Sequence, residues 1–134
     1  MSSYLTFYVK NKDNEKPIPL VSYSRNSEIY QQFQESIHPA YIGVSTECEY
    51  TELTVTKVDS VITAIKEDLR KAEVRLHEYE KHAGGNMDII ESIIDQREYI
   101  DELQTALNQT IFIRNFVSDA AYSWKDHVIL CNID

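Results

Sequence analysis

Between Thr54 and Ala83 the apolar residues recur in steps of three and four: Val55, Val58, Ile62, Ile65, Leu69, Ala72, Leu76, Tyr79 and Ala83. At 100° per residue all nine fall within a sector about 120° wide, the mark of one long amphipathic helix. Leu53-Thr54-Val55-Thr56 taken alone reads as a strand, but the helical stripe runs through Val55, which makes Thr54 the N-cap. Gly84-Gly85 supplies a left-handed stop, and Asn86 caps a second helix with Asp88 in its first turn. That helix starts at Met87 and runs to about Tyr122, with a core stripe of Ile89, Ile93, Ile100, Leu103, Leu107 and Ile111. Two long helices joined by Gly-Gly-Asn must turn back on each other, so residues 54–122 are expected to form an antiparallel hairpin.

The flanking segments read differently. Tyr4 to Lys10 is rich in aromatic and β-branched residues and reads as a strand. Asn11 to Lys16 is a polar turn, and Pro17 and Pro19 admit only an edge strand before Leu20-Val21-Ser22-Tyr23. Asn26 or Ser27 caps a short helix over Glu28–Ile37, stopped by His38-Pro39. Residues 40–53 carry no clear pattern, and Trp124 to Ile133 reads as a third strand. Ile111, Phe112, Ile113, Phe116 and Val117 are apolar nearly all round the helix, which predicts burial on several sides. Of the fourteen aromatic residues only Tyr79 and Tyr99 lie within 54–110. The expected fold is therefore α+β and a single domain over 1–134. Residues 1–53 and 123–134 build a head of about three mostly antiparallel strands plus a short helix, from which the coiled-coil-like hairpin 54–122 projects as a stalk.

Composition excludes several functions. With 13 basic against 22 acidic residues the chain carries −9, which argues against direct binding to nucleic acid or an anionic membrane. Three glycines leave no material for a phosphate-binding loop. The opening residues have neither a basic nor an apolar leader region, and no window is apolar enough to span a membrane. With two cysteines, Cys48 and Cys131, the expectation is a cytoplasmic chain with reduced thiols. His77 and His82 are five apart on a helix and so point to different faces. His127 and Cys131 stand about 13 Å apart along a strand, too far to share a metal. No catalytic residues, metal or organic cofactor are expected, and an enzyme is the third choice of function.

The sharpest feature is charge. Residues 84–123 hold two basic residues against seven acidic ones, −5 in all. Asp88, Glu91, Asp95, Glu98 and Glu102 are spaced three, four, three, four and occupy the face opposite the Ile/Leu stripe, with Arg97 on another face. The first choice is thus a non-enzymatic protein-interaction module or regulator. Its candidate contacts are those five carboxylates and the tyrosines Tyr4, Tyr8, Tyr23 and Tyr30 of the head. The partner would be a protein with a basic surface. A homodimer is a second option, because Lys66, Arg70, His77 and Lys81 form a weaker basic stripe on the first long helix. An acidic decoy occupying the nucleic-acid channel of a basic enzyme is the alternative function.

Overall fold

A computed structural model of the chain describes residues 3–13, 16–37 and 50–134. In chain order the elements are β1 (Tyr4–Asn11), β2 (Ile18–Ser24), α1 (Glu28–Ser36), β3 (Thr51–Glu52), α2 (Val55–Lys81), α3 (Met87–Tyr122) and β4 (His127–Ile133). The fold is α+β. The two long helices pack antiparallel against each other, and together with α1 they take up more than half of the chain.

Local chemistry sets the helix ends. Thr54 has extended backbone and its hydroxyl accepts from the Lys57 N–H at 3.2 Å, while the Asn86 side chain accepts from the Asp88 N–H at 3.0 Å. Between the helices Gly84 and Gly85 both have positive φ, +45° and +83°, which β-carbon-bearing residues rarely adopt. Ser27, not Asn26, precedes α1, and its hydroxyl donates back to the Ser24 carbonyl instead of capping the helix.

The sheet order is β2-β1-β4-β3, all neighbours antiparallel. Four strands form where three were expected. The addition, β3, has two residues and exists because Thr51 and Glu52 pair with Cys131 and Leu130; nothing in so short a segment announces a strand. The last strand begins at His127, not Trp124. The shift between Phe7 and Tyr8 that lets β2 bulge falls where Pro19 faces Tyr8. The unpatterned stretch 40–53 lies mostly outside the described residues, as do His38-Pro39, Tyr41 and Cys48.

Alternation in the strands sends Leu5, Phe7, Ile129 and Cys131 toward the helices, where each is 1 % exposed or less. They meet Ile29 and Phe33 of α1, Val58, Val61 and Ile65 of α2, and Leu103 and Ile113 of α3 in one apolar cluster. Phe7 anchors it, edge-on to Phe33 at 5.1 Å and to Tyr23 at 6.1 Å.

Along α3 the buried side changes. Ile93, Ile100 and Leu107 repeat every seven residues, as do Gln96, Leu103, Thr110 and Val117. From Leu103 downward a third column, Ala106, Ile113 and Ala120, is also buried. A seven-residue repeat drifts about 20° per heptad from a straight 3.6-residue wheel, so the buried side moves round α3 along its length. The straight wheel places Ile111 directly over Ile93; in the structure the contact face has moved on and Ile111 is 39 % exposed. The expected burial of the whole 111–117 stretch fails with it. Ile113 and Val117 are buried and Phe116 half-buried, but Phe112 is 51 % exposed. The buried third column ends near Leu103, α1 flanks α3 as high as Glu98, and toward the tip Leu76, Tyr79 and Ile89 are half-buried.

Candidate functional site: the acidic face of α3

The sequence places a carboxylate every three or four residues on the outer side of α3, and the packing of α3 on α2 leaves that side exposed. Asp88, Glu91, Asp95, Glu98 and Glu102 are all exposed, spread over about 21 Å of helix. Among the described residues none of the five lies within 4 Å of a basic side chain, whereas Glu67, Glu78, Glu80 and Asp59 elsewhere on the hairpin do. Arg97 is turned away from the stripe to Glu80 of α2, at 3.2 Å.

At its lower end the stripe opens into a notch of about 310 Å³ between α3 and the start of α1, lined by Asn26, Ser27, Glu28, Glu98, Asp101, Glu102, Thr105 and Gln109. Glu28 was not singled out from sequence. It lies seventy residues from Glu98 along the chain, and only the packing of α1 on α3 brings them together. Burial raises the Glu28 carboxyl above its usual range. Glu102, Glu35 and Asp68 push it further up, while the hydrogen bond from Gln32 pulls it down. Gln32 is itself buried, and its amide donates to Glu28 at 3.1 Å and to Asp68 at 2.8 Å, tying α1 to α2. The same negative surroundings act on Tyr99, whose phenol is raised first by burial and then by Glu28, Asp68 and Glu35. A cluster of this kind favours whatever brings positive charge to it.

The tyrosines separate by side of the sheet. Tyr4 and Tyr8 alternate with Leu5 and Phe7 and lie on the face away from the helices; Tyr4 is 42 % exposed, and Tyr8 meets Tyr50 edge-on at 5.0 Å. Tyr23 is half-buried against the core, and burial raises its phenol. Tyr30 leaves the set of candidate contacts. It is 3 % exposed, and its hydroxyl donates to the Asp134 carbonyl at 2.6 Å. On a 3.6-residue helix it shares a face with Ile29 and Phe33, and that face is the one α1 buries.

The basic stripe expected on α2 is weakened by its own helix. Arg70 makes a two-pronged pair with Glu67 at 2.7 and 3.0 Å, and Lys81 lies 3.8 Å from Glu78. A larger concavity of about 440 Å³ lies at the opposite end of the molecule, between the start of α2, the end of α3 and β4. Leu53, Val55, Val117 and Ile129 supply much of its wall, and its two lysines, Lys12 and Lys125, are exposed.

Among the described residues no group of three or more His, Cys, Asp or Glu side chains converges on a point that could hold a metal ion, and no helix is long and apolar enough to cross a membrane. The chain matches no family model and no curated protein, and no solved structure matches its fold.

Proposed function

We propose that the protein is a non-enzymatic binding module whose acidic α3 face docks a basic surface of another protein. The observation that carries this reading is the run of five exposed carboxylates ending in a notch that gathers four more acidic groups: Glu28 and Asp101 within it, and Glu35 and Asp68 beside it. Like charges at i, i+3 and i, i+4 each cost about 0.2–0.5 kcal/mol in a helix, and a helix chosen only for stability would intersperse lysines, as α2 does. The stalk carries Asp88, Glu91 and Asp95 clear of the head, where a partner reaches them without obstruction.

The test is capture from a lysate of the source cells on immobilised protein, run beside Glu91→Lys/Glu98→Lys beads through a salt series. The expected result is a partner held by the parent protein, released between about 50 and 200 mM salt, and absent from the double variant. A partner retained equally by the variant would refute the reading. Adding duplex DNA separates the decoy version, since a nucleic-acid enzyme caught by its channel would be displaced.

A further inference from the structure

A second stripe on α3 runs one residue ahead of the acidic one. Met87, Ile90, Ile94, Arg97 and Asp101 are spaced three, four, three, four, so each immediately precedes one of Asp88, Glu91, Asp95, Glu98 and Glu102. The upper part of this stripe is apolar and faces water. Met87 is 66 % exposed and Ile94 58 %, with Ile90 half-buried between them. Toward the head the stripe turns polar, and Arg97 reaches Glu80 of α2 at 3.2 Å. That ion pair fixes which flank of α2 adjoins the stripe. Glu73, His77 and Glu80 are spaced four and three on one side of α2, all exposed, and the Gln96 bond to the Ala72 carbonyl sets them at the height of the apolar residues. Lys66, seven residues before Glu73, stands about 9 Å beyond that contact on the head side, below the apolar stretch.

An apolar strip with carboxylates along both borders restricts what can cover it. The partner must bring apolar and basic side chains in adjacent parallel rows, repeating at the helical interval for about 15 Å, the rise from Asp88 to Glu98. A strand offers one face a side chain only every 6.6 Å or so, and its next row belongs to a neighbouring strand. An α-helix carries both rows on itself, at the same interval as α3. We infer that the docking element of the basic partner proposed above is an amphipathic helix, cationic on both borders of a narrow apolar side. It lies along α3 with that side on Met87, Ile90 and Ile94 and its lysines or arginines against Glu91, Asp95 and Glu98. The inference rests on the reading of the acidic face as a docking surface and adds the shape and chemistry of what docks there. Met87 suits this role, because its unbranched thioether adapts to the side chains it meets. A second copy of the chain fits less well. The outer side of its α2 sets Val74 among Arg70, Lys71, Arg75 and Glu78, too little apolar surface to cover three residues, and Arg70 is paired with Glu67.

Fluorescence anisotropy at about 150 mM salt reads the binding of labelled synthetic peptides of equal charge. One is a lysine–leucine helix with its leucines at i, i+3, i+4 and i+7; another has the same residues ordered so that the leucines spread round the helix; the last is oligolysine. The patterned peptide should bind at least about tenfold more tightly than the other two. Met87→Gln with Ile94→Gln should lower its affinity at least about fivefold and leave oligolysine binding unchanged. Both side chains are exposed, so the circular dichroism of that variant should match the parent protein. Glu91→Lys with Glu98→Lys should weaken all the peptides. Equal affinity for the patterned and reordered peptides, or no loss in the glutamine variant, overturns the amphipathic helix and leaves the basic-surface reading standing. Binding undiminished in the lysine variant overturns that reading itself. A sedimentation mass that doubles with concentration in the parent protein but not in the glutamine variant would put a second copy on this surface and overturn the proposal.

Discussion

Reversing alternate charges on the acidic stripe should stabilise the protein. Asp88, Glu91, Asp95, Glu98 and Glu102 form four adjacent like-charged pairs on α3, and none has a basic partner within 4 Å among the described residues. Glu91→Lys with Glu98→Lys converts all four pairs at once from acid–acid to acid–base. Each conversion removes a repulsion and adds an attraction, each about 0.2–0.5 kcal/mol in an isolated helix. Every one of these groups is exposed, and such pairs deliver less than their ideal value. A net gain of about 1–2 kcal/mol is the working figure, reduced slightly because Glu91 lies near the N-terminal end of α3, where negative charge is favoured. For a chain of this size that corresponds to a melting temperature about 4–8 °C higher, followed by circular dichroism at about 20 mM salt. The gain should shrink by more than half at about 0.5 M salt, where screening acts over only a few ångströms. A melting temperature that does not move, or falls, would refute the reasoning, since it would mean that the carboxylates already have favourable surroundings. A gain in stability joined to loss of the captured partner is the combination expected of a face kept for recognition.

Leu103→Ala, fully buried where the stalk meets the head, should cost about 3–4 kcal/mol in urea unfolding, and Ile93→Ala, held only between the two long helices, about 2 kcal/mol. Equal costs would contradict the division of α3 into a thinly and a thickly packed half. Glu28→Gln keeps an acceptor for Gln32 and removes the charge. Because the folded carboxyl titrates above its unfolded value, Glu28 weakens the fold at neutral pH, and that penalty disappears as pH falls through the folded pKa toward 4.5. The variant should therefore be more stable at pH 7 and converge on the parent protein near pH 4, read from urea unfolding at both values.

The hairpin was legible because everything that makes it is local: a repeat, a Gly-Gly stop and two capping residues. Its straight-wheel version failed at Ile111, since the drift of the contact face and the burial of the Ala106–Ile113–Ala120 column in the core are set by tertiary packing. For the same reason β3 has no sequence signal of its own; it is a strand only because β4 lies beside it. The acidic stripe is one helix's pattern and could be read directly. The notch it ends in joins Glu28 to Glu98, Asp101 and Glu102 across the fold, and no spacing along the chain foretells it. Tyr30 showed the converse, a residue with a recognition chemistry whose ring the core had already claimed.

Gln96 sits in the apolar seam of the stalk, 8 % exposed, and its amide donates to the Ala72 carbonyl at 3.0 Å. A seam made only of Ile, Leu and Val is nearly indifferent to sliding, because one aliphatic layer resembles the next. The amide changes that, since only one longitudinal setting gives its N–H a carbonyl beside a side chain as small as alanine. Slipping by a turn would strand a buried donor at about 1–3 kcal/mol, as a single polar residue does when it fixes register in paired helices. Gln96 thus acts as the stalk's vernier, holding Asp88, Glu91 and Asp95 at a set height above the head, so that a partner touching both ends would measure one fixed length.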